Sequence, residues 1–155
     1  MKSLKYIVFC FIGMTSLHAS AQTLVEDAWV RATVPGQPST GAFMRITSSG
    51  GGKLLEAKSP VAGLVQIHES KMQNDIMRMQ PVAAVELPAG KAVDIAPEGY
   101  HIMLMKLTGQ VKEGDSVPLT LVVENAEGVK ESIEVKATAR ALTEMPMHDH
   151  GKMMQ

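Results

Sequence analysis

Two histidines of this 155-residue chain lie among methionines in segments with the character of β-strands. Residues 101–105 read His-Ile-Met-Leu-Met, and alternate side chains of a strand share one face. We therefore expect His101, Met103 and Met105 to point one way and the two aliphatic side chains to point the other way. If the aliphatic face is buried, the opposite face presents an imidazole beside thioethers.

The same alternation applies to two earlier segments. His68 shares a face with Gln66 and Ser70, away from the apolar residues on either side of Gln66. Met77 and Met79 share a face of the segment that follows. The sequence therefore offers two further candidates for metal ligation, His68 and Met79, if these segments lie beside residues 101–105.

Imidazole and neutral thioether donors form a soft ligand set that suits Cu(I). Zinc prefers thiolates, imidazoles or carboxylates, and calcium and magnesium require oxygen ligands. Two neutral histidines and two neutral methionines add no negative charge, so they favour a monovalent ion over a divalent one. Copper(I) is therefore the metal that these residue types indicate.

Taken singly, each of these residues has a plainer interpretation, because a methionine in a strand usually fills a gap in the core. We expect Met44, Met77 and Met105 to be structural in this sense, while Met72, in the predicted loop just after His68, remains undecided. A lone histidine is likewise more often a satisfied polar residue than a ligand. It is the joint spacing of the remaining candidates that favours ligation.

Cysteine and methionine are distributed unusually. The only cysteine, Cys10, lies within the first 21 residues, whereas ten of the 12 methionines lie after them. The remainder of the chain therefore excludes a disulfide framework, a thiolate zinc site, a cysteine nucleophile and a cysteine-ligated blue-copper centre. A thioether remains a metal ligand under oxidising conditions in which a thiol is lost to disulfide or sulfenate.

The first 21 residues have the composition of a secretory signal peptide. Lys2 and Lys5 precede an apolar run over residues 6–17, and Ala-Ser-Ala at 19–21 predicts cleavage before Gln22. Without the two lysines the formal charge changes from −1 to −3, which disfavours a nucleic-acid binder. No later run approaches the ~20 apolar residues of a membrane span, so we expect no direct membrane insertion.

Short β segments separated by Gly, Pro and Asn recur along the rest of the chain and predict a single all-β domain over residues 22–138. A hairpin is predicted from residues 119–123 and 133–135 around the Asn125-Ala-Glu-Gly turn. This composition favours a β-sandwich or barrel over any fold with helices. The predicted strands are residues 24–32, 42–47, 53–57, 64–69, 76–79, 92–95, 101–107, 118–124 and 130–138.

Residues 139–155 are predicted to form a flexible polar tail rich in His and Met. Such tracts are typical of metal binding, which suggests a second, looser copper site able to take Cu(I) or Cu(II). The alternative is a solvated chain end whose composition is incidental. The candidate ligands in this tail are Met145, Met147, His148, His150, Met153 and Met154.

His68, Met79, His101 and Met103 are spaced as His-x10-Met-x21-His-x-Met. This spacing resembles the signature of the PCuAC family of periplasmic copper chaperones, and the similarity extends from about Val25 to Val135. The departures are Glu69-Ser70, where many members have a methionine, and a glycine-rich loop over residues 48–52. The segments that carry the similarity are residues 27–33, 59–62, 79–82, 87–90, 99–104 and 112–121.

The resemblance implies a periplasmic, cupredoxin-like or immunoglobulin-like β-sandwich that holds one Cu(I) through His68, Met79, His101 and Met103. It also implies delivery of copper to a periplasmic or membrane-anchored acceptor, such as cytochrome c oxidase subunit II or another copper-assembly factor. A copper buffer or resistance protein without a dedicated recipient stays open as an alternative. An electron-transfer cupredoxin lacks its cysteine here, and we find no motif for an enzyme.

Overall fold

The computed structural model describes residues 22–141 of the chain. The predicted signal peptide and the candidate ligands of the tail lie outside the described residues. Within the described range the protein is all-β, and no helix there is long and apolar enough to cross a membrane. The strands are β1 (Thr23–Arg31), β2 (Ser39–Ser48), β3 (Gly52–Lys58), β4 (Ala62–Gln73), β5 (Ile76–Pro81), β6 (Val85–Leu87), β7 (Ala92–Ile95), β8 (Tyr100–Leu107), β9 (Ser116–Asn125) and β10 (Lys130–Arg140).

All ten strands belong to one continuous hydrogen-bonded sheet in the order β5-β4-β8-β7-β2-β1-β10-β9-β3-β6, with β8 also paired to β2. Neighbouring strands are antiparallel except for β1 with β10 and the short contact of β7 with β8. The sheet closes over itself as a single-domain β-sandwich, which confirms the predicted fold class. The strands that carry the candidate ligands, β5, β4 and β8, lie together at one end of this order.

The core lies between the two halves of the folded sheet. Every strand except the exposed β5 contributes side chains to it, mostly in alternation, as the period of two requires. From the first half come Ile46, Ile67 and Leu104, and from the second come Leu54 and Leu121, all nearly inaccessible to water. Met44 is also buried in this cluster, which confirms its predicted structural role.

Nine of the ten strands coincide with predicted segments, and the differences lie mainly at strand ends. The hairpin of β9 and β10 is confirmed, since Leu121 pairs with Ile133 in antiparallel register. The three-residue strand β6 was not predicted. β10 continues to Arg140, so two residues that the sequence analysis assigns to the tail belong to the last strand.

Candidate metal centre

The register between β4 and β8 brings the two histidines together. His68 pairs directly with His101, and Gln66 pairs with Met103, so these four side chains project from the same face of the sheet. On the opposite face Ile67 and its partner are buried in the core. The burial of the aliphatic positions confirms the predicted alternation in both segments.

Met79 reaches this face from the edge strand β5. It pairs with Ser70, which lies two residues beyond His68 and therefore on the same face. The β4–β5 hairpin holds this register through a two-residue turn in which Asn74 and Asp75 have φ of 50° and 61°. Positive φ at both central residues is the geometry of a type I′ turn, whose twist matches that of a tight antiparallel hairpin.

The two imidazoles are arranged as two ligands of one metal ion would be. The ring centroids of His68 and His101 are 5.8 Å apart, with the rings inclined at 70°. Two imidazoles that bind one ion through bonds of ~2.0 Å have centroids within about 6 Å of each other. The separation of the two rings is therefore compatible with a shared ion.

Hydrogen bonds fix which ring nitrogen of each histidine is available. Nδ1–H of His101 donates to the carbonyl oxygen of Gly99 at 3.3 Å, which leaves Nε2 with its lone pair free for a metal. Nε2–H of His68 donates to Oε1 of Gln66 at 3.1 Å, which leaves Nδ1 free. Each contact orients its ring, and the neutral imidazole is the form that binds metal.

A shallow cavity of about 240 Å³ joins the methionines to the buried histidine. Met79, His101 and Met103 line it, while His68 stands beside His101 in the neighbouring strand. The cavity lining contains no carboxylate, and its one charged residue is Arg31. A bound cation here would gain no compensating negative charge from the lining, which favours a monovalent ion. The remaining lining residues are Gln37, Ser39, Thr40, Gly41, Phe43 and Pro97.

Exposure changes steeply across the four candidate ligands. His101 is only 4% exposed, His68 and Met103 are half-buried, and Met79 is 63% exposed. A metal ion held here would be anchored on its inner side by His101 and reachable from solvent on the side of Met79. This arrangement suits an ion that must be exchanged.

The pKa of His68 is lowered below its ordinary value. Partial burial of the ring is the main cause, and the positive charge that His101 carries when protonated is the second. Both effects disfavour the charged imidazolium. The His68 ring therefore stays neutral, and able to bind metal, to a more acidic pH than a free imidazole.

Three other methionines near the site can be compared with the roles expected from the sequence. Met105 is half-buried on the ligand face, opposite Leu64. Met77 is 53% exposed, so the expectation that it fills the core is wrong. Met72 lies in β4, not in a loop, and is 64% exposed.

The structure also adds residues that the sequence reasoning did not select. Gln66, which orients His68, shares its face by simple alternation and could have been found by that signal. Phe43 could not have been found from the sequence, because it reaches the cavity only through the pairing of β2 with β8. Its ring packs against Trp29 at a centroid distance of 4.6 Å, and the guanidinium of Arg31 lies over it.

Histidine and carboxylate side chains elsewhere in the described part of the chain do not form a competing site. Within residues 22–141 no three His, Cys, Asp or Glu side chains are grouped as metal ligands. Glu69, the acidic residue nearest to His68 in sequence, points away from the ligand face and pairs with Lys71 at 2.9 Å. The methionine-rich set around His68 and His101 is thus the candidate that the geometry supports.

Comparison with known proteins places the chain in a family. The family model described as "Putative lipoprotein LpqE-like" matches residues 23–137, nearly the whole described domain. This chain belongs to the LpqE-like family. A relative from Leifsonia xyli subsp. xyli, named "Putative lipoprotein Lxx21020", is 32% identical over 138 residues, which cover 81% of this chain and 83% of the relative.

Solved structures with the same fold include PCuAC domains. The copper-bound PCuAC domain from PmoF2 has a TM-score of 0.63 and 24% identity, with 79% of this chain and 96% of that domain covered. The Cu(I) form of DR1885 from Deinococcus radiodurans has a TM-score of 0.54 and 28% identity, with 79% and 81% covered. The apo form of DR1885 covers 90% of this chain and 95% of its own, at a TM-score of 0.56 and 22% identity. The resemblance to PCuAC is thereby confirmed at the level of the fold.

Proposed function

We propose that this LpqE-like protein is an exported copper carrier that holds one Cu(I) through His68, Met79, His101 and Met103. The observation that carries the proposal is the register of β5, β4 and β8, which gathers these four residues on one face of the sheet. Residues separated by 33 positions in the chain face each other across a single strand pair. The spacing of these residues in the sequence is thus the spacing that brings them onto one face of the folded sheet.

The chemistry of the set favours Cu(I). Two neutral imidazoles and two thioethers are soft donors, and none of them needs to lose a proton from its ordinary neutral form to bind. The cavity lining offers no carboxylate that would draw a divalent ion. Two of the structurally similar proteins are described as copper-bound or Cu(I)-bound, which supports the same cargo here.

The exposure of the site supports a role in transfer. Met79, on the edge strand, is the most accessible of the four residues, and His101 is the least accessible. An acceptor can therefore replace the thioether of Met79 first while the imidazoles still hold the ion. Such stepwise ligand exchange requires docking and no catalysis.

The recipient that we propose is a copper-accepting domain in the periplasm or anchored in the membrane, such as cytochrome c oxidase subunit II or another copper-assembly factor. Support for export comes from the signal-like residues 1–21 and from the naming of the family and of its relative as putative lipoproteins. The same exposed site would also serve a copper buffer. Delivery is favoured over buffering by the resemblance to PCuAC chaperones.

An anaerobic Cu(I) competition titration of residues 22–155 tests the site. We expect tight one-to-one binding that weakens in a Met79→Ala/Met103→Ala double variant by more than the ~10–100-fold that loss of an outer-shell partner costs. Met105→Leu is the matched control, because Met105 lies on the same face next to Met103 in alternation but lines no part of the cavity. Equal binding by the double variant and the unaltered chain would refute the proposed ligands.

A further inference from the structure

The tip of the β4–β5 hairpin projects beyond the rest of the sheet. Pairing between β4 and β8 ends at Glu69 with Tyr100, whereas pairing between β4 and β5 continues for four more residues to Gln73 with Ile76. The outer part of the hairpin is therefore a two-stranded ribbon with no third strand beside it. Every residue from 71 to 81 is exposed.

This ribbon carries a directly opposed pair of methionines. Met72 pairs with Met77 in the antiparallel register, next to the turn at Asn74 and Asp75. Directly opposite residues have Cβ atoms about 5 Å apart on the same face. Two thioether sulfurs on such a pair are close enough to bind one ion from both sides, since a metal–sulfur bond such as that of zinc to a thiolate is ~2.3 Å long.

Neither methionine has a packing role that would explain it. Met72 is 64% exposed and Met77 is 53% exposed, so neither contributes to the core. Both belong to the face that also carries Met79 and His68, whereas Ile76 projects from the other face of the ribbon. The thioethers are thus accessible, paired and on the metal-binding side of the hairpin.

The pair is also close to the proposed copper site. Met77 and Met79 are two residues apart in β5, and Met72 is two residues beyond Ser70, the partner of Met79. Two residues along a strand span about 7 Å. A flexible methionine side chain can cover most of that distance. The Met72–Met77 pair and Met79 can therefore share an ion during its transfer.

We infer that Met72 and Met77 form a second, weaker Cu(I) site that exchanges the ion with Met79. This inference rests on the proposed function, since it extends the same cargo to a second pair of donors. In the transfer a copper–sulfur bond to Met72 or Met77 breaks as one to Met79 forms, and copper remains Cu(I) throughout. Two thioethers bind less tightly than the set of two imidazoles and two thioethers, so the ion moves inward.

Methyl NMR of residues 22–155 with 13C-labelled methionine methyl groups, titrated with Cu(I) under anaerobic conditions, tests the pair. We expect the Met79 and Met103 signals to shift over the first equivalent and the Met72 and Met77 signals to shift together at higher Cu(I). Each signal is assigned from its loss in the corresponding Met→Leu variant. Residue-specific signals also keep any binding by the tail methionines separate.

The decisive comparison is Met72→Leu, which keeps an apolar side chain but removes the sulfur. We expect the copper-induced shift of Met77 to fall at least about fivefold in this variant, and that of Met72 to fall equally in Met77→Leu. Ile76→Leu, on the other face of the same ribbon, is the matched control and should leave both shifts intact.

The outcomes separate this inference from the proposed function. If Met79 and Met103 respond to Cu(I) while Met72 and Met77 do not, the second site is refuted and the ribbon is left as an apolar contact surface. An unchanged Met77 shift in Met72→Leu would also refute it. If none of the four signals responds, the proposed function itself fails.

Discussion

Glu69 and Ser70 follow His68 where many PCuAC members have a methionine, and the structure assigns these two positions to opposite faces. Ser70 lies on the ligand face, directly opposite Met79. Glu69 lies on the other face, where it pairs with Lys71. Burial of the Tyr100 ring, together with the nearby charge of Glu69, raises the pKa of Tyr100. A thioether at position 70 would therefore join the site, and one at position 69 would not.

We expect Ser70→Met to tighten Cu(I) binding, because it places a fifth soft donor beside Met79. A gain on the order of fivefold in affinity, equivalent to about 1 kcal/mol, is reasonable for one exposed thioether. Competition titration under anaerobic conditions measures it.

Glu69→Met is the matched control for this substitution and should leave the affinity unchanged. It adds the same side chain one residue away but on the opposite face. Tighter Cu(I) binding in Glu69→Met, or unchanged Cu(I) affinity in Ser70→Met, would show that the face of the sheet does not determine which residue binds the metal.

The faces of the candidate ligands could be predicted from sequence, but their proximity could not. Alternation alone separates His101 and Met103 from the aliphatic residues between and after them. That β4 lies beside β8 with His68 opposite His101 is a long-range pairing, which periodicity does not encode. The resemblance to PCuAC indicates that the four residues form one site, and the register of β4 with β8 explains how they come together.

At the scale of elements, the sequence predicts that most strands exist but predicts their lengths less well. Nine strands had runs of apolar or β-branched residues between turn residues, which is the local signal for a strand. β6 has only three residues, Val85–Leu87, and runs directly into Pro88. Its identity as a strand depends on pairing with β3, a contact that the local sequence does not specify.

Two glycines in strands show how differently the elements tolerate a side chain. Gly52, in β3, has φ of 147°, and an added Cβ would collide with the backbone carbonyl of Glu124 in β9. At Gly41, in β2, an added Cβ would instead lie 2.7 Å from the outer edge of the Phe43 ring. A backbone cannot move aside as easily as the end of a side chain.

We therefore expect Gly52→Ala to lower the free energy of unfolding by about 2–4 kcal/mol and Gly41→Ala by about 1 kcal/mol. Urea denaturation followed by circular dichroism measures both. In the native state only Gly41→Ala should alter the fluorescence of Trp29, the sole tryptophan, because Phe43 packs against it. Equal destabilisation by the two variants would contradict the argument.

At the scale of the whole molecule, hydrogen bonds to two loops hold the end of β10, the last strand of the described domain. The amide of Ala32 donates to the carbonyl of Arg140 at 2.8 Å, and the amide of Ala139 donates to the carbonyl of Asp115 at 2.8 Å. These bonds tie the end of β10 to the loops at both of its sides.

Removal of residues 144–155 should therefore separate the two copper hypotheses. We expect the melting temperature of the metal-free protein to stay within about 2 °C, since no strand or core residue of the described domain is lost. If the tail histidines and methionines bind metal, copper stoichiometry measured by metal analysis after equilibrium dialysis should fall while the tight Cu(I) site persists. Full stoichiometry in the shortened chain would assign all bound copper to the face of β5, β4 and β8 and remove the tail from the list of ligands.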